Sequence, residues 1–189
     1  VKAAMALTPM VLTARLMKKE HKNCRVAFIG PCAAKKLEAS RRTIRSDVDF
    51  VLTFEELMGM FQAKGINFAE VEPGEPFTDS TAAGRGFAVG GGVAQAVADC
   101  IKQIDPDREV KVQSAQGLHD CKRMLMLAKA GKYDGYLLEG MGCPGGCVAG
   151  AGTLQPIAKA SASVKQYMNK AEHKIASESQ YSIALDKLD

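Results

Sequence analysis

Two cysteines four positions apart lie in a glycine-dense stretch of the chain. The segment from Cys143 to Cys147 reads CPGGC, it follows the apolar run 135–141, and Gly150 and Gly152 come soon after it. Glycine lets a backbone approach a ligand closely and offers N–H groups to sulfide or anionic ligands. Because soft thiolates favour iron–sulfur clusters or zinc, the pattern indicates a metal site. By itself it leaves a zinc half-site and a chance glycine-rich turn open.

A third cysteine has a similar position. Cys32 follows the apolar run 26–30 (VAFIG), and Lys35 comes about one helical turn later. Glu38 stands three residues beyond Lys35, so Lys35 taken alone is typical of a solvated helix lysine paired with Glu38. Cys32 therefore joins the candidate metal ligands, while the role of Lys35 stays open on spacing alone.

The remaining candidate side chains match no such pattern. Cys24, Cys100 and Cys121 have uneven spacing in a chain long enough to build a core, which favours small buried hydrophobes over a disulfide framework. The three histidines are scattered and predict surface or core positions. Six methionines at helical spacing predict core positions as well: Met5, Met10, Met58, Met60, Met124 and Met126.

Alternating strands and helices must position these residues. Apolar runs predict strands over 26–30, 50–53, 110–114 and 135–141, and helical spacing predicts helices over 3–14, 54–61, 93–104 and 118–130, with Thr53 as a cap and a loop over 71–85. This order predicts an α/β fold, a parallel β-sheet flanked by helices with a helical C-terminal tail. Ligands of such folds bind beyond the carboxyl ends of strands, where Cys32 and Cys143 lie.

Composition excludes several classes of function. The 189 residues carry 25 Lys plus Arg against 21 Asp plus Glu, a net charge of +4, and no Trp. So small an excess, without stacking aromatics, argues against nucleic-acid binding. The longest weakly polar stretch, 3–14, falls short of the ~20 apolar residues that a membrane span needs. We therefore expect a cytoplasmic protein with neither a nucleic acid nor a membrane as partner.

Ordered motifs resemble the catalytic domain of iron–iron hydrogenases, the C-terminal domain of their large subunit. Residues 31–38 (PCAAKKLE) and 141–152 (MGCPGGCVAGAG) resemble the family's second and third cysteine motifs. Residues 84–93 resemble its glycine-rich loop and helix, and residues 47–60 the strand and helix after the second motif. The resemblance covers most of residues 1–156.

The resemblance implies a site and a reaction. Cys32, Cys143 and Cys147 would bind a cubane [4Fe-4S] cluster, with Cys147 also bridging to a two-iron unit that carries carbonyl, cyanide and dithiolate ligands. The other implied site residues are Lys35, donating to a cyanide, Met141, against the two-iron unit, and Gly145 and Gly146, contacting the cofactor. The implied substrates are dihydrogen and protons, with a ferredoxin-like domain or protein as electron-transfer partner.

The family's first cysteine motif has no counterpart in this sequence. We expect that motif upstream of Val1, so that residues 1–158 are a fragment of the domain and residues 159–189 a helical appendage. The motif supplies the fourth cluster ligand and a cysteine for proton transfer. We therefore expect this chain alone to lack both metal cofactors and activity.

Two departures from the family pattern leave the exact role open. Gly30 stands where many members have Met, and residues 151–153 read AGT in place of the usual GGQ. Together with residues 8–10 and 139–141 they resemble a regulatory, hydrogen-sensing branch. The alternative from another class is a non-catalytic [4Fe-4S] protein for cluster assembly or scaffolding, and a weaker one is a zinc-stabilised interaction module.

Overall fold

The computed structural model describes residues 1–182, which fall into two compact units. The amino-terminal unit comprises Ala4–Pro76 and Gly150–Leu154. The carboxyl-terminal unit comprises Val1–Ala3, Phe77–Ala149 and Gln155–Ser182. Each contains a pair of parallel strands with helices around it, which confirms the predicted α/β class.

The strands of the amino-terminal unit are paired in parallel, with Ala27 opposite Phe50 and Gly30 opposite Thr53. The crossover connection that a parallel pair requires contains a helix. The elements in chain order are α1 (Pro9–Glu20), β1 (Ala27–Gly30), α2 (Ala34–Ala39), β2 (Phe50–Thr53) and α3 (Phe54–Ala63).

The core of this unit lies under α1. Met10, Val11 and Ala14 share one face of the helix and are buried together with Val48. The helix predicted over 3–14 begins later and ends later than expected. Pro9 occupies its first turn, where the missing N–H has no intrahelical acceptor to lose.

The start of α3 matches the sequence prediction. The Thr53 side chain accepts the N–H of Glu56, and the Glu56 carboxylate accepts the N–H of Thr53 in return. This reciprocal capping box satisfies two backbone donors and turns the chain from β2 directly into the helix.

The carboxyl-terminal unit has the second parallel pair, in which Lys111 lies opposite Tyr136 and Gln116 opposite Met141. Short 3-10 turns lie at Cys147–Ala149 and Ala176–Glu178. The longer elements in chain order are α4 (Ala82–Gly86), α5 (Gly92–Ile104), β3 (Lys111–Gln116), α6 (Leu118–Lys129), β4 (Tyr136–Met141) and α7 (Ile157–Asn169).

Small side chains dominate the buried positions of this unit. They include Ala94, Ala96 and Ala98 on α5, with Ala115 on β3 and Ala128 on α6. Because alanine adds little bulk, it permits close approach of the backbones behind the strands.

The prediction that all six methionines at helical spacing are core residues is wrong for four of them. Met10 and Met124 are buried. Met5, Met58, Met60 and Met126 are exposed, the least of them by 38%. Met5 precedes α1 and lies in no helix, and the spacing of the others on α3 and α6 does not determine which helix face is covered.

The loop predicted over 71–85 ends early. Thr81 accepts the N–H of Gly84 at 3.1 Å and so starts the short helix α4. This helix packs against α7, where the Arg85 guanidinium lies 3.8 Å from the centre of the Tyr167 ring.

The boundary at residue 158 stays a prediction, and residues 183–189 of the predicted appendage lie outside the described part of the chain. Among the helices described, none has the length and apolar character to cross a membrane.

Candidate functional site

The Cys143–Cys147 loop begins two residues after β4 and turns on two consecutive glycines. Gly145 and Gly146 have φ values of 97° and 93°, in the left-handed region that favours glycine. The N–H of Gly146 donates to the carbonyl oxygen of Cys143 at 3.0 Å, which closes the turn. Cys143 carries a free, half-buried thiol, so no disulfide joins it to Cys147. Cys147 then opens a 3-10 turn.

Backbone packing leaves no room for a side chain at Gly146. A Cβ there would lie 2.5 Å from the amide nitrogen of Gly90 and 2.8 Å from the carbonyl oxygen of Ala88. Both neighbours are main-chain atoms that cannot swing away as a flexible side chain can. A Cβ at Gly145 would meet the Ile157 side chain at 2.9 Å. The loop therefore needs glycine at position 146 for conformation and for space.

Backbone hydrogen bonds attach this loop to the glycine-rich segment 86–92. The N–H of Gly90 donates to the carbonyl of Gly145, and the N–H of Val148 donates to the carbonyl of Ala88, both at 3.0 Å. The side-chain amide oxygen of Gln116, at the end of β3, accepts the N–H of Gly145 at 2.7 Å. The loop is thus held at several backbone positions, from both sides of the glycine pair.

A buried carboxylate lies behind these contacts. Glu139, on β4, accepts the N–H groups of Gly91, Val93 and Ala94 at 2.5, 3.1 and 3.2 Å. It serves as the cap of α5, whose own N-cap residue, Gly91, has no side chain. Sequence reasoning missed this role of Glu139. Two features of the sequence could have indicated it: an acidic residue inside the apolar strand β4, and an earlier helix, α5, whose N-cap residue is glycine.

Met141 ends β4 and is half-buried. Its carbonyl accepts the N–H of Gly117 at 2.8 Å and is 3.4 Å from the Cys121 sulfur. The Cys121 thiol also lies 3.5 Å from the carbonyl of Ala115. These contacts fit a packing role for Cys121, although it is half-buried where full burial was expected.

The Cys32 loop, residues 31–33, connects β1 to α2 in the amino-terminal unit. The Cys32 thiol is free and half-buried, and its sulfur accepts the N–H of Ala34 at 3.3 Å. The preceding carbonyl, that of Pro31, accepts the N–H of Gly152 at 2.9 Å. A Cβ at Gly152 would lie 2.4 Å from the Cβ of Thr53. Glycine at 152 therefore lets the returning chain pack beside this loop.

Lys35 is paired within its own helix. Its ammonium nitrogen lies 2.6 Å from one carboxylate oxygen of Glu38, and the hydroxyl of Thr8 donates to the other. Burial raises the pKa of the Glu38 carboxyl, but the hydrogen bonds from Lys35 and Thr8 outweigh it and hold the pKa below its ordinary value. An ammonium has three donors, and this pair uses one of them.

The predicted site residues thus form two groups. The Cys143–Cys147 loop carries both of its cysteines and both glycines and follows Met141, whereas Cys32 and Lys35 belong to the amino-terminal unit. Half-buried thiols after parallel strands suit thiolate ligation, and Cys32 already accepts an N–H as cluster thiolates do. By donor chemistry each loop fits an iron–sulfur cluster. Within residues 1–182, no three His, Cys, Asp or Glu side chains are gathered to hold a metal ion.

Sequence comparison gives one family and two kinds of relative. The family model for the iron only hydrogenase large subunit, C-terminal domain, matches residues 2–151. The periplasmic [Fe] hydrogenase large subunit of Nitratidesulfovibrio vulgaris is 32% identical over 177 residues, covering 76% of this chain and 42% of the relative. A probable cytosolic Fe-S cluster assembly factor of Drosophila virilis is 28% identical over 171 residues, covering 69% and 36%. The chain spans less than half the length of these relatives.

Solved structures share the fold. An [FeFe]-hydrogenase from work on oxygen inactivation at the 2Fe subcluster of the H cluster has a TM-score of 0.68 at 19% identity, over 95% of this chain and 62% of the other. An [FeFe]-hydrogenase of Chlamydomonas reinhardtii has a TM-score of 0.65 at 20% identity, over 95% and 63%.

Proposed function

The chain belongs to the family of iron only hydrogenase large subunits, C-terminal domain, and we propose that it is part of the catalytic domain of an iron–iron hydrogenase, acting in reversible dihydrogen oxidation or in hydrogen sensing. The observation that carries the proposal is the pair of cysteine loops. Each begins at the carboxyl end of a parallel strand, and each contains or adjoins a glycine with no room for a side chain.

We assign the thiolates of Cys32, Cys143 and Cys147 as ligands of a [4Fe-4S] cluster. Cys147 would also hold the two-iron unit, Met141 would pack against that unit, and Gly145 and Gly146 would offer backbone to the cofactor. When bound, the metal cofactor supplies the splitting and formation of dihydrogen. The protein supplies ligands, exclusion of water, and routes for protons and electrons.

Lys35 has a separate role in this proposal. Its ammonium would donate to an anionic cyanide ligand while Glu38 holds the side chain in place. The short contact between the two side chains supports this, because a paired lysine keeps its position and still has donors to offer.

Dihydrogen and protons are the proposed substrates, and a ferredoxin-like domain or protein is the proposed electron partner. We place the protein in the cytoplasm of an anaerobic cell. Relatives named as cytosolic support that location, while another relative is named as periplasmic. In an [FeFe]-hydrogenase of the same fold, oxygen inactivation starts at the two-iron subcluster, and this supports the anaerobic part of the proposal.

Infrared spectroscopy of the intact protein after maturation tests the function. Carbonyl and cyanide bands are expected, because those ligands belong to the two-iron unit and to no amino acid. Iron and sulfide analysis of the same sample reports the cubane. A protein with a full cubane and no carbonyl or cyanide bands would contradict the hydrogenase proposal.

The second candidate is a non-catalytic [4Fe-4S] protein of cluster assembly. Relatives named as assembly factors favour it, as do Gly30 in place of Met and the AGT sequence at residues 151–153. This candidate needs the cysteines but has no use for Lys35 beside a cyanide. The same infrared experiment separates the two, since this candidate gives the cubane without the bands.

A further inference from the structure

We infer that Glu139 is a positioning residue that fixes the Cys143–Cys147 loop by anchoring the start of α5. The inference rests on the proposed function for what the loop holds. The mechanical connection itself depends on the contacts of this chain alone.

Glu139 is attached to the start of α5 by hydrogen bonds from backbone N–H groups. The first N–H groups of any helix lack intrahelical acceptors, and the helix start favours negative charge. One carboxylate oxygen of Glu139 accepts from Gly91, and the other accepts from Val93 and Ala94. Glu139 is 8% exposed, so water offers these donors little alternative.

The start of α5 is in turn connected to the Cys143–Cys147 loop through the residues that precede it. Gly91, held by Glu139, is the direct neighbour of Gly90, whose N–H donates to the carbonyl of Gly145. Segment 88–90 also supplies the atoms against which Gly146 packs. Displacement of Gly91 therefore moves the surface on which the loop rests.

The attachment to α5 needs both oxygens of a carboxylate. A glutamine at position 139 has one oxygen and one NH₂ group, and the NH₂ group cannot accept a hydrogen bond. Either Gly91 or the pair Val93 and Ala94 must then face a donor. The substitution Glu139→Gln preserves the size of the side chain and breaks the attachment on one side.

Amide hydrogen exchange on the 189-residue chain, without metal, tests the connection. Losing hydrogen bonds to a buried charged group should raise local opening, and with it exchange at Gly90, Gly91 and Val148, by about tenfold or more in E139Q. Alkylation of the Cys143 thiol should become several-fold faster.

Glu178→Gln is the matched control. Glu178 also caps a helical turn of the same unit, accepting the N–H groups of Lys174 and Ile175. Its loss should leave the exchange of Gly90 and Val148 unchanged. If E139Q speeds exchange at Gly91, Val93 and Ala94 while Gly90, Val148 and Cys143 keep their rates, Glu139 caps the helix and does not position the loop.

A measurement on the unmodified chain keeps the inference testable if E139Q fails to fold. In low urea, Gly90, Gly91 and Val148 should open together with one free energy. Independent opening would overturn the connection. Iron and sulfide content of the intact protein is a separate readout: absence of a cluster in the unmodified protein overturns the proposed function and leaves the exchange result standing.

Discussion

The two cysteine loops follow the same kind of strand end but are stabilised by different forces. Main-chain hydrogen bonds, close glycine contacts and the buried carboxylate of Glu139 hold the Cys143–Cys147 loop. Around Cys32, side-chain charge contributes more, through the Lys35–Glu38 pair and the Thr8 hydroxyl, and those side chains are partly accessible to water.

Because of this difference, we expect one loop to set the position of the proposed ligands and the other to set the charge around them. Steric contacts between backbones permit one arrangement and resist change, because packed interiors yield little. Partly exposed ion pairs are weaker and respond to salt and pH. We therefore expect the Cys143–Cys147 loop to fix where ligands stand and the Cys32 loop to adjust the charge beside them.

The largest expected effect comes from removing the proposed cluster ligands. Cys143→Ala or Cys147→Ala in the intact protein should abolish or severely reduce cluster content, because each removes a thiolate. Cys100→Ala and Cys121→Ala are the controls and should leave the cluster largely intact. Iron and sulfide analysis measures this, and equal loss from all four substitutions in folded protein would refute the ligand assignment.

The rigidity of the Cys143–Cys147 loop is tested next. Gly146→Ala should destabilise the chain by about 2–4 kcal/mol, since the added Cβ meets backbone and φ is positive. Urea unfolding measures the change. Gly59→Ala is the contrasting control: nothing lies within 4 Å of its added Cβ on α3, so it should stabilise by about 0.5–1 kcal/mol. Similar effects from the two variants would show that close packing around Gly146 does not make the Cys143–Cys147 loop rigid.

The tuning role that we propose for the Cys32 loop predicts a selective loss. Lys35→Ala should weaken retention of the two-iron unit, by about tenfold for a lost hydrogen bond to a charged ligand, more than retention of the cubane. Infrared band intensity compared with the iron count measures the ratio. Parallel loss of both parts would make Lys35 a general structural residue.

The smallest expected effect is on titration. Because Lys35 and Thr8 hold the pKa of Glu38 below its ordinary value, the Glu38 contribution to stability is present above its unfolded pKa of about 4.3 and is lost as pH falls through the lower folded value. NMR titration of the Glu38 carboxyl measures the shift. Lys35→Met should move the pKa upward, and an unchanged value in that variant would show that the pair does not set the charge.

Local signals in the sequence predicted much of the fold. The strands at 27–30, 50–53 and 136–141 lie within a residue of their predicted bounds, and Thr53 caps α3 as expected. These elements depend on side-chain patterns a few residues long. The start of α1 was misplaced because the apolar run before Pro9 outweighed the preference of proline for a first turn.

In the candidate site too, local patterns identified some residues, and contacts between distant parts of the chain hid others. Cys32, Cys143 and Cys147 were found by spacing and resemblance, and their roles as ligands stay proposals. Glu139 escaped because its partners lie 45 to 48 residues earlier, where only tertiary packing brings them together. Gly92 is similar: the contact that excludes a Cβ there is with the carbonyl of Gly86, across a turn that the sequence pattern did not define.

The return of Gly150–Leu154 to the amino-terminal unit has a consequence for biosynthesis. The bond from Gly152 to Pro31 spans more than a hundred residues, so the ribosome must make β3 and β4 before the amino-terminal unit receives this segment. Such distant contacts slow folding and prolong exposure of incomplete surfaces. A nascent chain stalled at residue 76 should therefore carry an unfinished unit, open to chaperones and proteases before residues 150–154 are made.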